Sequence, residues 1–106
     1  MDRGNRPYRV VVNEEAEEML AAQVHYLSKV NKPAARQLIE AFDEATDNLQ
    51  YFPERCPWAT DPILPAYTFR KLIILKRYVM LFQIMDDTVY VETLSHERQD
   101  YAWKMH

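Results

Sequence analysis

The stretch FRKLIILKRYVMLFQIMDDTVYVETLSHERQDY, residues 69–101, decides the fold of this chain. Its three apolar runs are rich in Val, Ile, Tyr and Phe, the residues that are favoured in β-strands. Lys76-Arg77 and Asp86-Asp87 separate the runs and predict the two turns of a three-stranded antiparallel unit. Most polar groups that could carry out chemistry lie on this unit or directly after it.

The residues before this unit predict one strand and two helices. Residues 7–12 (PYRVVV) form a short β-run, and Asn13 follows as the expected N-cap of a helix whose apolar stripe reaches about Val30. A break at residues 31–33 starts a second amphipathic helix, which Pro53 ends. Two helices joined by so few residues predict an antiparallel helical hairpin.

We therefore predict an α+β fold. An N-terminal strand and a helical hairpin precede a small, mainly antiparallel four-stranded sheet, and the hairpin packs on one face of that sheet. A short C-terminal helix is expected from about Arg98. At 106 residues the chain is predicted to be a single domain, residues 1–106, in which residues 1–6 are a loose leader.

The composition excludes several classes of function. The only glycine, Gly4, rules out Gly-rich phosphate loops, and the only cysteine, Cys56, rules out an internal disulfide and favours a reducing cytoplasm. No apolar run approaches the roughly 18 residues that a membrane span needs. The net charge of −3 argues against a simple nucleic-acid-binding protein, although residues 70–77 carry a local basic cluster. Neither a cofactor nor a metal is expected.

If Lys76-Arg77 and Asp86-Asp87 each form a two-residue turn, Ile74 lies opposite Val79 and Phe82 lies opposite Val91. In this register one face, which includes Ile73, Met80 and Phe82, is covered by the hairpin. The other face carries Arg70, Leu94 and His96 together with a candidate partner surface of Leu72, Ile74, Val79, Leu81, Gln83, Tyr90 and Glu92. A slip of one residue would exchange the two faces.

The order of elements resembles the RelE/ParE superfamily of type II toxin–antitoxin (plasmid stabilisation) toxins. The resemblance covers residues 8–101 and depends most on FRKL at 69–72, RYVMLFQI at 77–84 and the closing H-x-R-x-x-Y from His96. It implies a small cytoplasmic toxin that a cognate antitoxin holds inactive, and a homodimer is a further expectation. RelE-like members cleave mRNA on the ribosome without a metal, whereas ParE-like members inhibit DNA gyrase.

For RelE-like cleavage, the catalytic residues implied here are Arg70, His96, Arg98 and Tyr101. His96 and Tyr101 would act as acid or base, and the two arginines would stabilise the charge on the phosphorane. Histidine suits proton transfer because its ordinary pKa lies near 6.5. A structural role for His96, Arg98 and Tyr101 stays open, in which His96 and Arg98 hydrogen-bond to backbone or to nearby carboxylates.

The sequence departs from the RelE-type nucleases at Leu72 and Val79, where those enzymes carry basic residues. Ribosome-dependent mRNA cleavage is nevertheless the function that we predict first. The alternatives are a non-enzymatic inhibitor of DNA gyrase, which would use the apolar sheet face or the helical hairpin as its contact surface, and a member that only binds its antitoxin.

Overall fold

The structure, a computed structural model, describes residues 6–96. Its elements are, in chain order, β1 (Arg9–Val12), α1 (Glu14–Val30), α2 (Lys32–Asn48), β2 (Arg70–Ile74), β3 (Tyr78–Met85) and β4 (Thr88–His96). A short 3₁₀ turn, Pro53–Arg55, lies in the connection between α2 and β2. The predicted α+β fold is confirmed, and the predicted C-terminal helix lies outside the described residues.

The two helices follow each other with only Asn31 between them. Asn31 caps α2, because its side-chain oxygen accepts a hydrogen bond from the backbone N–H of Ala34 at 3.1 Å. Pro33 lies in the first turn of α2, where its missing N–H costs no helical hydrogen bond. Between residues 6 and 96, neither helix is long and apolar enough to cross a membrane.

The four strands form one mixed sheet in the order β1-β4-β3-β2. β1 runs parallel to β4, and the other two neighbouring pairs are antiparallel. α1 packs on β4, and the core lies between the hairpin and the sheet. Its fully buried large side chains include Leu38, Met80, Phe82, Val89, Val91 and Leu94. Each such side chain contributes about 1.5–3 kcal/mol on burial.

The pairing of β3 with β4 follows the prediction near the turn and departs from it further along. Phe82 lies opposite Val91 as predicted, but Leu81 lies opposite Thr93, so Glu92 is an extra residue in a β-bulge. Beyond the bulge the faces exchange. The predicted position of Leu94 on the uncovered face is therefore wrong, since this side chain is fully buried.

The pairing of β2 with β3 is shifted by one residue from the prediction. Ile74 lies opposite Tyr78, not Val79. The cause is the turn, in which Leu75 and Lys76 both adopt positive φ angles, of 52° and 63°. The shift also reverses the predicted face of the other β2 residues, so Ile73 points away from the hairpin and Leu72 packs against the core.

The long connection before β2 is attached to the outer edge of that strand. Trp58 forms an isolated antiparallel bridge with Arg70. The N–H of Ala59 donates to the Phe69 carbonyl at 2.7 Å, and the N–H of Lys71 donates to the Pro57 carbonyl at 3.0 Å. The start of β2 is thus covered by its own connection.

Candidate functional site

We call the sheet face that points away from the hairpin the second face. The strand register places on it Arg9, Val11, Lys71, Ile73, Val79, Leu81, Gln83, Met85, Tyr90 and Glu92. Two of its apolar side chains, Ile73 and Met85, are 43% and 53% exposed. Five of the seven predicted partner-surface residues lie on this face, namely Val79, Leu81, Gln83, Tyr90 and Glu92.

The other two predicted partner-surface residues lie on the opposite side of the sheet. Ile74 is buried in the core, and Leu72 packs against the core from its margin. Their predicted place on the uncovered face is wrong because the turn at Leu75 and Lys76 shifts β2 by one residue.

Glu92 is held at the bulge by two amide side chains. One of its carboxylate oxygens accepts a hydrogen bond from Asn13 Nδ2, and the other accepts one from Gln83 Nε2 at 2.8 Å. Asn13 stands at the N-cap position of α1, but its side chain does not cap the helix. Sequence reasoning missed this role of Asn13, because the contact with Glu92 depends on the bulge.

Arg70 holds the connection against β2. Its Nη1 donates to the carbonyl oxygens of Glu54 at 3.0 Å and of Cys56 at 2.8 Å. Its Cζ atom lies 3.9 Å from the centroid of the Trp58 ring, a cation–π contact. The pairing with Phe82 puts Arg70 on the hairpin side of the sheet, not on the predicted second face.

His96 ends β4 opposite Tyr78, the first residue of β3. The two rings are T-shaped, with centroids 5.2 Å apart and planes at 78°. Tyr78 is buried, and this burial raises the pKa of its hydroxyl, while the charge of Arg77 acts in the opposite direction. His96 therefore also lies on the hairpin side of the sheet, because the bulge at Glu92 exchanges the faces of the residues that follow it.

The structure does not bring Arg70 and His96 together. Arg70 lies opposite Phe82 in the middle of β3, whereas His96 lies opposite Tyr78 at its start. Four residues of extended strand separate these levels, a distance of about 13 Å along the strand direction. The remaining predicted catalytic residues, Arg98 and Tyr101, lie outside the described residues.

The single thiol is half-buried beside the arginine contact. Burial raises the pKa of Cys56, and the nearby charge of Arg70 partly opposes this effect. A raised pKa disfavours the thiolate, which is the nucleophilic form. Within residues 6–96 no group of three or more His, Cys, Asp or Glu side chains is placed to hold a metal ion.

A cleft of about 590 Å³ lies between the outer edge of β1 and the end of α2. The backbone N–H of Tyr8 donates to the Gln50 carbonyl at 2.9 Å and closes one end of this β1 cleft. Its lining consists of Pro7, Tyr8, Arg9, Val10, Val12, Thr46, Asp47 and Gln50. The sequence did not predict this cleft, since it depends on how α2 ends beside β1.

Comparison with known families accounts for this arrangement. The family model described as the ParE toxin of the type II toxin–antitoxin system parDE matches residues 10–101. The chain belongs to this ParE toxin family. The predicted toxin class is thereby confirmed, and membership of a toxin–antitoxin family implies an antitoxin partner.

Solved structures show the same fold. A chain from the chromosomal ParDE toxin–antitoxin system of P. aeruginosa superposes with a TM-score of 0.69 at 12% identity, over 84% of this chain and 95% of that one. A conserved hypothetical protein from Helicobacter pylori superposes with a TM-score of 0.57 at 10% identity, over 86% and 96% of the two chains. No curated protein sequence matches the chain.

Proposed function

We propose that this ParE-family toxin inhibits growth by binding DNA gyrase and that its cognate antitoxin blocks this binding. The observation that carries the proposal is the character of the second face, which exposes the apolar side chains of Ile73 and Met85 and also carries a hydrogen-bonded Gln83–Glu92 pair. Contiguous exposed apolar surface is typical of protein–protein contact sites. A surface that binds RNA phosphates would need a larger excess of cations than this face carries, where Arg9 and Lys71 accompany the carboxylate of Glu92.

Messenger RNA cleavage has less support than the sequence suggested. The two predicted catalytic groups within the described residues, Arg70 and His96, stand at opposite ends of the β2–β3 pair and on the hairpin side of the sheet. The Nη1 atom of Arg70 also donates hydrogen bonds to two backbone carbonyls. Metal-free cleavage requires an acid, a base and a cation around one phosphate, so this separation counts against it.

The second face supplies features that a protein partner could use. Ile73 and Met85 are exposed apolar side chains, and Tyr90 adds an aromatic ring with a polar end. Glu92 is fixed by its two amide partners, so it would present a carboxylate with little loss of conformational freedom on binding. We therefore assign the gyrase contact to the second face.

Induced expression in bacterial cells tests the mechanism. We expect growth arrest with altered plasmid supercoiling and intact mRNA, and inhibition of purified gyrase by the purified toxin. Codon-specific cleavage of mRNA with unchanged supercoiling would overturn the proposal in favour of the RelE-like mechanism. Tight antitoxin binding without any growth arrest would indicate a member that has lost its toxicity.

Two isoleucines of similar exposure provide a matched test of the contact surface. Ile73 on the second face is 43% exposed, and Ile39 on α2 is 40% exposed. We expect Ile73→Lys to weaken gyrase inhibition at least tenfold and Ile39→Lys to change it less than twofold. The reverse pattern would move the contact to the helical hairpin and leave the choice of gyrase as target intact.

A further inference from the structure

Among the described residues, β1 forms an edge of the sheet, and no strand lies along its outer side. The N–H of Arg9 donates to the Asp87 carbonyl and the N–H of Asn13 donates to the Val91 carbonyl, both at 2.9 Å. The backbone groups of a strand point alternately to its two sides. The N–H and C=O groups of Val10 and Val12 therefore point away from β4, where residues 6–96 provide no strand to receive them.

The opposite edge of the sheet, formed by β2, is covered at its start by the connection that precedes the strand. Backbone hydrogen bonds from Ala59 to Phe69 and from Lys71 to Pro57 attach the connection along the start of β2. Proteins usually cover, twist or charge an edge strand, because its unpaired groups are a template for another chain. β1 carries three consecutive valines, Val10, Val11 and Val12, and no strand between residues 6 and 96 pairs with its outer edge.

We propose that a second copy of this chain pairs antiparallel with β1, around a two-fold axis at Val11, to form a continuous eight-stranded sheet. In this register Val10 of one copy lies opposite the partner's Val12, and the symmetric pair repeats the contact. All four outward groups of each strand are then bonded, giving four hydrogen bonds. An axis at Val10 would instead need the N–H of Tyr8, which already donates to Gln50.

The side chains on the hairpin side of β1 fit this pairing. Val10 and Val12 lie on that side, where both line the β1 cleft of about 590 Å³. The partner's Val10 and Val12 would enter the same cleft and stack beside them. Cross-strand pairs of β-branched residues are favourable in antiparallel sheets.

The charges on the other side also match. In the proposed register the partner's Arg9 lies opposite Asn13, which donates to the carboxylate of Glu92. The exposed guanidinium of Arg9 would thus approach the carboxylate that Asn13 and Gln83 already hold in place. The two-fold axis repeats this contact, so the dimer would contain two such pairs of Arg9 and Glu92.

The expected dimer is weak and reversible. A contact made by two four-residue strands and their flanking side chains is small beside the roughly 1,200–2,000 Å² that stable interfaces bury. The mass in solution should therefore rise from 12.7 kDa towards twice that value only as the concentration approaches the submillimolar range.

Disulfide trapping tests the position of the axis. Val11 faces its own symmetry mate in a non-hydrogen-bonded pair, at a Cα separation of about 4.5 Å that a disulfide can span. In a Cys56→Ser background, Val11→Cys should form a covalent dimer at least ten times faster than Lys76→Cys, an exposed turn position. Equal rates at the two positions would overturn the proposed axis.

Proline substitution tests the edge itself. Val10→Pro removes one outward N–H, a change that edge strands tolerate, and should keep the mass at 12.7 kDa throughout the concentration range. Ile73→Pro removes an outward N–H from the other edge and serves as the matched control, which should still dimerise. Circular dichroism checks that both variants are folded.

A wild-type mass that stays at 12.7 kDa up to submillimolar concentration would overturn the dimer. If Val10→Pro then weakened binding of the antitoxin, the open edge would belong to an extended antitoxin segment and not to a second copy. Dimerisation that survives Val10→Pro and is lost in Ile73→Pro would place the contact at β2. The gyrase proposal is tested separately, by the gyrase assay and by the comparison of Ile73→Lys with Ile39→Lys, so a failure of the dimer and a failure of the gyrase contact can be told apart.

Discussion

The Cζ atom of Arg70 lies 3.9 Å from the centroid of the Trp58 ring, and the same guanidinium donates to two carbonyls of the connection. We predict that Arg70→Lys lowers the free energy of unfolding by about 1–2 kcal/mol. A lysine ammonium cannot stack flat on the indole while it spans both carbonyls. Thermal unfolding should show the loss, at about 4–8 °C per kcal/mol for a domain of this size.

Arg55 provides the comparison, because its Cζ atom lies 4.6 Å from the centroid of the exposed Phe52 ring. Arg55→Lys should cost less than half as much stability as Arg70→Lys. At a temperature at which both variants are folded, Arg70→Lys should retain growth inhibition within about threefold. A hundredfold loss of toxicity with unchanged stability would instead assign Arg70 to the reaction or to the target contact.

Glu92 joins three elements through Asn13 and Gln83, which leads to a second prediction. Glu92→Gln should destabilise the fold by about 1.5–3 kcal/mol, since it removes charge-assisted hydrogen bonds and turns an amide N–H₂ towards another donor. Urea unfolding measures the change. In a double-mutant cycle with Gln83→Leu, the two effects should fall short of additivity by about 1 kcal/mol, whereas strict additivity would show that the Gln83–Glu92 hydrogen bond does not contribute to stability.

The element order of this protein could be predicted because each element carries its own periodic signal. The apolar stripes of α1 and α2, the break at Asn31 and the β-rich runs after Phe69 all report local preferences. The parallel pairing of β1 with β4 is not local. It places Val10 and Val12 against the core beside the hairpin.

The candidate surface was predicted less well, because one residue of register decides which side chains it contains. Neither turn has an Asn-Gly or Asp-Gly pair, so the sequence could not show that Leu75 and Lys76 would both take positive φ angles. The bulge at Glu92 had no sequence signal either. Together they moved Leu72, Ile74 and His96 to the hairpin side of the sheet.

The strained turn leads to a third prediction. Lys76 is exposed and has a φ of 63°, a region that costs a residue with a Cβ about 1–2 kcal/mol. Lys76→Gly should raise the free energy of unfolding by about 0.5–1 kcal/mol, because glycine relieves more strain here than it adds to the entropy of the unfolded chain. Lys29→Gly, at an exposed position in the last turn of α1, is the control and should lose about 0.5–1 kcal/mol. Destabilisation by both changes would show that the turn is not strained.

The single thiol allows a test of the environment of Cys56 by alkylation. Burial raises its pKa, with a smaller opposing effect of Arg70, so the folded protein should hold less thiolate than the unfolded chain at any given pH. The iodoacetamide rate, followed by mass spectrometry, should therefore reach half its plateau at a higher pH in the folded protein than in urea. Cys56→Ser provides the unreactive control.

The raised pKa of Cys56 also determines the direction in which the stability of the fold changes with pH. Because the folded state keeps the proton of Cys56 to a higher pH, its contribution to stability is present below the pKa of the unfolded thiol and disappears as the pH rises through the folded pKa. Steric protection alone would lower the plateau of the alkylation rate but leave its midpoint where the unfolded chain has it. A lowered plateau with an unshifted midpoint would therefore show that Cys56 is shielded from the reagent but not desolvated by the fold.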